Sequence, residues 1–415
     1  MTKRLSLFLI TKNRILLSQT FLALSIIWVW PLLLFIFLVR RFLIIRFCPL
    51  TSGRIGDSIT DFVEHDLSKY LPKSVTARYM TFYYFETRTF PNSFWKNYMK
   101  RNLCISGEWA RQVDFWIKKL KFMSMHHLNT TSTNSRDVNG HIAKINYELT
   151  FTPQEDGFGK NWLVQNGWKE GQKIISLHIR DETFLLENPV NAPLPGDDRW
   201  SYHNFRNSDI ESYVPAINWL IEKGFFVIRM GRLAKQKATI SDSSFVDLPF
   251  LTKVDDFLDI WLIAKSCAHI GTYSGIDHAA VVNRLPILFL NALPLAEIFS
   301  YTKMMWVPKT LLWKFSNEKM LIREHLESAW LHRSEYYLEK GIAIVDLSAT
   351  EVLSYVKEFI LWLERDFVID YKDLALVEQF WAVFKSWENF HILHDWIHPK
   401  ALPSILWLRD NMKGW

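Results

Sequence analysis

Cysteine is scarce: Cys48, Cys104 and Cys267 are the only three in 415 residues, no two stand in a C-x-x-C, and the total is odd. A disulfide scaffold and a cysteine-ligated zinc site are thereby excluded, and a reducing compartment fits. Acid is missing from one end. Residues 1 to 56 hold Lys3, Arg4, Lys12, Arg14, Arg40, Arg41, Arg46 and Arg54 with no Asp or Glu, a charge of +8 against −2 for all the rest. The basic balance therefore belongs to the N-terminus, which rules out a basic, nucleic-acid-binding body. No two aspartates are separated by a single residue, so the D-x-D metal site of many sugar-nucleotide enzymes is absent. Internal repeats and low-complexity tracts are lacking too. The remainder is ordinary for a globular protein, with 49% hydrophobic and 22% charged residues, except for 19 Trp. A chain of this length exceeds what one core supports, and two domains are the starting expectation.

Inside the acid-free end lies Phe21 to Val39, nineteen residues without a charge, about the length that crosses a hydrocarbon core of roughly 30 Å as a helix. It lacks a clear small-x-small cleavage site and runs straight into Arg40 and Arg41, which argues against a removed signal peptide. Cations on both sides leave its orientation open, and Pro31, Trp28 and Trp30 suit a bent hairpin or an interfacial helix as well as a span. The expectation is a basic N-terminus and membrane anchor over 1–39, with a catalytic body on the cytoplasmic face.

Beyond it, 40–47 reads as a strand, "CPLTSGRIGD" as its turn and the stretch from about Ser58 as a helix. Residues 75–135 are aromatic and aperiodic, and 129–140 reads as an exposed polar loop. From Lys173 strands alternate with helices: strands over 173–179, 225–230, 268–271 and 285–291, and helices over 209–223, 255–267 and 276–283. Near-continuous apolar strands between helices predict a parallel sheet covered on both faces. An N-terminal domain over 40–165, a second over 170–345 and Trp-rich helices over 346–415 complete the division.

In open parallel sheets, ligands bind beyond the carboxyl ends of the strands. His178, Arg180 and Asp181 follow one buried strand, where charge needs solvent, a partner or a ligand. The plainer reading is an Arg–Asp pair pinning the next loop. "GTYSGIDHAA" carries Thr272, Ser274, Gly275, Asp277 and His278 at a strand-to-helix turn, where small residues let an anion approach the backbone. An ordinary turn with Ser274 as helix cap is the alternative. His203 and Arg206 lie in the loop before a helix capped by Asn207 or Ser208, and Gly231 and Arg232 end another strand. Arginines gathered on a Gly/Ser turn suggest a diphosphate ligand neutralised without metal or other cofactor. Candidates for a catalytic acid or base are Asp57, Asp181 and His203. Asp57 serves equally as a helix cap, while Asp259 and Asp277 are further acids, the former expected to face solvent.

Together, "RIGD", "LHIRDE", "YHNFRNSDIESY", "VIRMGR", "FLDIWLIAKSC" and "IGTYSGIDHAAVVNRLPILFLN" resemble a family of bacterial glycosyltransferases associated with surface-polysaccharide gene clusters. The resemblance spans about residues 40 to 300. It implies the GT-B class, an α/β architecture of two Rossmann-like, doubly wound parallel-sheet domains facing a cleft, with the nucleotide-sugar in the second. "HIRDE" is similar to the H-x-R-x-G-D signature of fucosyltransferase-like enzymes, which would put Arg180 on the donor phosphates; the Gly is absent here. "SGIDHAA" is similar to the S-G-x-x-H-x-A turn of heptosyltransferase-like proteins, which would place Ser274, Gly275 and His278 there too. Relatives carry His after R-I-G where this chain has Asp57. Residues and resemblance combine into one expectation, a metal-independent transferase at the inner membrane, moving sugar from a nucleotide-sugar donor to a lipid-linked or polysaccharide acceptor. Polysaccharide pyruvyl transfer, sugar-nucleotide epimerisation and a non-catalytic assembly scaffold are the rivals.

Overall fold

The computed structural model describes residues 24–67, 78–129, 136–187, 200–252, 254–328, 331–364 and 369–412. The start of the apolar run, the middle of the loop at 129–140 and the prolines after Glu187 lie outside them. The chain divides into two compact units, one from residues 24–54 and 61–129, the other from 55–60 and 136–412.

In the first unit, strands β1 (Ile44–Leu50) and β2 (Tyr79–Phe85) pair in parallel, with Ile44 opposite Tyr79 and Leu50 opposite Phe85. Single parallel bridges from Phe47 to His127 and from Tyr83 to Ile105 extend the pair on each side. Among the described residues this is one β-α-β arrangement rather than the doubly wound domain expected. The segments at Ile105 and His127 contribute one bridge each before turning away, so the sheet does not grow. Its core joins Phe47, Ile45 and Tyr84 to the inner faces of helix α1 (Ile26–Val39) and helix α3 (Glu108–Lys119). Helix α1 has 14 residues, and no helix among the described residues is long and apolar enough to cross a membrane. At about 1.5 Å per residue it is some 21 Å long, short of the hydrocarbon thickness.

Helix α2 (Ile55–Leu67) is shared, its first six residues grouping with the second unit. It starts three residues earlier than expected because Ile55 and Gly56 are already helical.

The second unit is built on seven parallel strands: β3 (Ile174–His178), β4 (Phe226–Arg229), β5 (Phe245–Asp247), β6 (Ala268–Gly271), β7 (Ile287–Ala292), β8 (Met304–Pro308) and β11 (Ala401–Pro403). Their spatial order, β11-β8-β7-β6-β3-β4-β5, runs outward from β3 in both directions. This is the doubly wound pattern, and chain direction across the sheet reverses between β3 and β6. The residues of β4, β6, β7 and β8 are all buried, as apolar strands in a covered parallel sheet should be. A two-stranded antiparallel pair, β9 (Thr310–Trp313) with β10 (Ile342–Val345), stands beside it.

Helix boundaries follow local chemistry. Helix α4 (Pro153–Gln165) opens with Pro153 at its first turn and a reciprocal pair in which the Glu155 amide donates to Thr152 Oγ1 and Thr152's amide to Glu155. Helix α5 (Val214–Glu222) follows a 3-10 turn capped by Asp209, not by Asn207 or Ser208. Helix α6 (Asp256–Ala264) is capped by Asp255, which accepts from the Phe257 amide at 2.8 Å. Helix α7 (His278–Val282) leaves the β6 turn.

The C-terminal segment is more than helices. After α8 (Ala349–Glu364) and α9 (Tyr371–Lys385), the chain returns to the sheet as β11, pairing Leu402 with Met305, and ends in α10 (Ile405–Asn411). Here Trp306 of β8 is fully buried between Phe380 and Trp407, with ring centroids at 5.2 and 5.4 Å. Much of the tryptophan excess is core. Trp306→Ala should lower unfolding stability by about 3–5 kcal/mol, measured by chemical denaturation; a loss below about 1 kcal/mol would mean that this end is not part of the folded unit.

Candidate functional site

The sheet's reversal point puts the ends of β3 and β6 side by side, His178 opposite Gly271. The two loops that leave them are clipped together: the Arg180 amide donates to Thr272 Oγ1 at 2.8 Å, and that hydroxyl donates to the His178 carbonyl at 3.3 Å. Thr272 is thus a backbone fastener.

The turn after β6 is held from inside by Asp277, whose side chain is fully buried. Its carboxylate accepts from His269 Nε2 at 3.0 Å and from the Ser274 amide at 2.6 Å, and His269 in turn meets Ser176 Oγ at 2.8 Å. Burial pushes the Asp277 carboxyl up, but His269, His178 and the Ser274 amide outweigh it and leave it below the usual range. Gly271 is required beside it, because a Cβ there would stand 2.8 Å from the carboxylate carbon. Asp277, expected as a phosphate contact, is therefore a structural clamp. It also occupies the Ser274 amide, which is therefore not open to a ligand.

Arg206, at the end of a 3-10 segment (Ser201–Arg206), donates to the Tyr273 carbonyl and lies 5.9 Å from that ring. Tyr273 itself takes a left-handed backbone, φ 66°, which bends the turn outward. Arg180 donates to the His203 carbonyl at 3.2 Å and to Asn207 Oδ1, both neutral acceptors. Burial and the neighbouring Arg206 press its guanidinium down to about 9. Asp181 and Glu182 oppose that shift without cancelling it. His203 supplies that carbonyl, while its ring lies 3.9 Å from the Tyr202 ring at a 37° tilt and stacks on Trp200 at 6.4 Å.

The first turn of α2 completes the group. Gly56 lies against Gly275 so closely that a Cβ on it would be 2.8 Å from the Gly275 Cα and carbonyl and from the His278 ring. Thr60 Oγ1 lies 2.6 Å from His278 Nδ1. Burial pushes His278 down to about 4, against opposing pulls from Asp57 and Asp277, so the ring is neutral near pH 7. His178 is likewise pushed to about 4 by burial; its Nδ1 sits 3.8 Å from Asp277 Oδ1.

Other expected residues do different work. Arg232 donates to Asp259 at 2.7 Å and to Asp256, so its charge is spent at the start of α6; Asp259 is buried in that pairing instead of facing solvent. Asp181 is occupied by the amides of Thr183 and Lys235 at 2.8 and 2.9 Å, with Arg229 at 3.9 Å. It pins the following loop, with Arg229 and not Arg180 as its cation. Gly231, at φ 127°, passes beside the His178 ring.

Sequence reasoning missed three members. Lys309 follows β8 at the same edge of the sheet, buried, bonded to the Asn207 carbonyl at 2.5 Å and to Asp346 at 2.7 Å. Its signal was the apolar run "MMWVP" ending in a cation. Gly56 and Thr60 were legible only as helix residues. Among the described residues no His/Cys/Asp/Glu group is arranged to hold a metal ion.

No family model and no curated protein matches the chain. Among solved structures it is similar to the ADP-heptose LPS heptosyltransferase II of E. coli, with 13% identity and a TM-score of 0.40 over 77% of this chain and 100% of that one. It is also similar to a glycosyl transferase family 9 protein of Veillonella parvula, with 11% identity and a TM-score of 0.38 over 63% and 86% of the two chains.

The Gly56–Gly275 contact sets an expected outcome. Gly56→Ala should destabilise by about 1–3 kcal/mol through overpacking, whereas Gly157→Ala, whose Cβ meets nothing within 4 Å, should not lower stability. Equal melting temperatures for the two variants would contradict the contact.

Proposed function

We propose that the chain is a glycosyltransferase of the GT-B class whose second unit binds a nucleotide-sugar by its diphosphate, beyond the ends of β3 and β6. The observation that carries this reading is the convergence of Arg180, Arg206 and the 272–275 turn on the sheet's reversal point. The order of motifs in the sequence adds the sugar-transfer chemistry.

In this reading Arg206 and Arg180 face the diphosphate, with Lys309, paired to Asp346, holding the Asn207 carbonyl behind them. The amides of Gly275 and Ile276 receive a phosphate oxygen, and the neutral His278, fixed at Nδ1 by Thr60, offers its other nitrogen. Asp57 is the base of choice, because both oxygens of Asp181 are already hydrogen-bonded. It takes the proton of an acceptor hydroxyl; the oxygen bonds to the anomeric carbon as the bond to the diphosphate oxygen breaks, and the electron pair leaves with the nucleoside diphosphate. The cations stabilise the charge that grows there. No metal enters the scheme. A lipid-linked or polysaccharide acceptor and attachment to the cytoplasmic face of the inner membrane through the N-terminal apolar segment belong to the same reading.

Calorimetry with UDP, GDP, ADP and CMP tests it. One of them should bind, and Arg206→Ala or Ser274→Trp, each checked for an unchanged melting temperature, should weaken it by about tenfold or more, as loss of a charged hydrogen bond does. With the matching labelled nucleotide-sugar, label should move to a lipid or glycan fraction. Undiminished affinity in both folded variants, or isomerised donor without transfer, would overturn the proposal.

A further inference from the structure

Helix α1 buries one stripe, Ser25, Val29, Leu33 and Ile36, at helical spacing against the first unit. A helix on a water-facing surface would carry polar residues on the other side. This one carries Ile27, Trp28, Trp30, Leu34, Phe35 and Leu38, all exposed, Ile27 at 72%, with exposed Leu24 just before it. The apolar surface continues past the helix: Phe42 is 82% exposed, and Phe122, 60% exposed, sits with its ring 5.6 Å from Phe37 of α1. Isolated exposed apolar residues are normal, but a contiguous set of this extent marks an interaction surface.

Its charge identifies the partner. Residues 24–54 contain Arg40, Arg41, Arg46 and Arg54 and no Asp or Glu, and helix α3 ends in Lys118, paired with the buried Asp114 at 3.3 Å, and Lys119, with Lys121 just beyond. Arg40 lies over the Phe37 ring at 3.7 Å, and Lys119 and Lys121 are exposed on either side of Leu120, next to Phe122. A second copy of the chain would bring like charges face to face. An anionic bilayer satisfies both features, hydrocarbon for the apolar face and headgroup phosphates for the cations.

We infer that α1 lies in the plane of the membrane instead of spanning it, and that the first unit docks on anionic lipid through a surface extending beyond the anchor to Phe42, Phe122, Lys119 and Lys121. The inference rests on the membrane attachment in the proposed function but not on the donor site.

Flotation of the full chain with vesicles tests it, using phosphatidylcholine alone and phosphatidylcholine with about one-third phosphatidylglycerol, at low and high salt. Partitioning onto the anionic vesicles should be at least tenfold stronger at low salt and fall toward the neutral-lipid value at high salt, since each cation near such a surface contributes about 1 kcal/mol, or fivefold. The double variant Lys119→Glu/Lys121→Glu should lose most of that preference, and Phe122→Asp should weaken binding to both lipids, each with an unchanged melting temperature. Nucleotide affinity, measured in detergent, should stay the same in both variants, which separates this inference from the donor site. Equal binding to the two lipids, no effect of the substitutions, or a lipid-free dimer that Phe122→Asp splits would overturn it.

Discussion

A carboxylate sealed from solvent is the fixed point of the second unit. Asp277 holds His269 on one strand and the Ser274 amide on the turn that leaves it. Leaving a buried carboxylate without its hydrogen-bond donors is costly, typically about 1–3 kcal/mol or more. The turn therefore has one position, and its neighbours are arranged around it: Thr272 fastens the β3 loop, the Tyr273 carbonyl receives Arg206, and Gly275 receives the first turn of α2. Four segments far apart in sequence meet because one buried acid leaves the backbone between them no freedom.

What gathers there is a group of cations among acids that are mostly committed elsewhere. The carboxylates nearby are committed, Asp181 to two backbone amides, Asp277 to the turn and Asp346 to Lys309. Burial and the charge of Arg206 lower the Arg180 guanidinium, and burial keeps His178 and His278 neutral near pH 7. In the proposed reading, a bound diphosphate would offset the cost of this arrangement.

Much of the second unit was legible in the sequence. Strand β6 coincides with the expected 268–271, and β3, β4 and β7 fall within one or two residues of their apolar runs, because strands buried on both faces have no polar alternation to blur them. Strand β5 was invisible, at three residues, and β11 was hidden among aromatic residues that suit helices equally. Position at a strand end singled out Arg180 and the 272–275 turn, which the structure brings together. It could not tell Arg206, which bonds the turn, from Arg232, whose partners Asp256 and Asp259 lie a helix away in sequence. Nor could periodicity reveal that Gly56 packs on Gly275, since that contact depends on tertiary approach. The first unit was least legible, and a full second Rossmann-like sheet was expected where the described residues carry a single parallel pair.

The most direct measurement is a structure of the full chain with its best-binding nucleoside diphosphate. The terminal phosphate is expected between the Arg206 guanidinium and the backbone at Gly275, within hydrogen-bonding distance of both, with Asp57 facing the space beyond it. A nucleotide seated elsewhere, with Arg180 and Arg206 unchanged and no phosphate near the turn, would contradict the assignment of this edge of the sheet as the donor site.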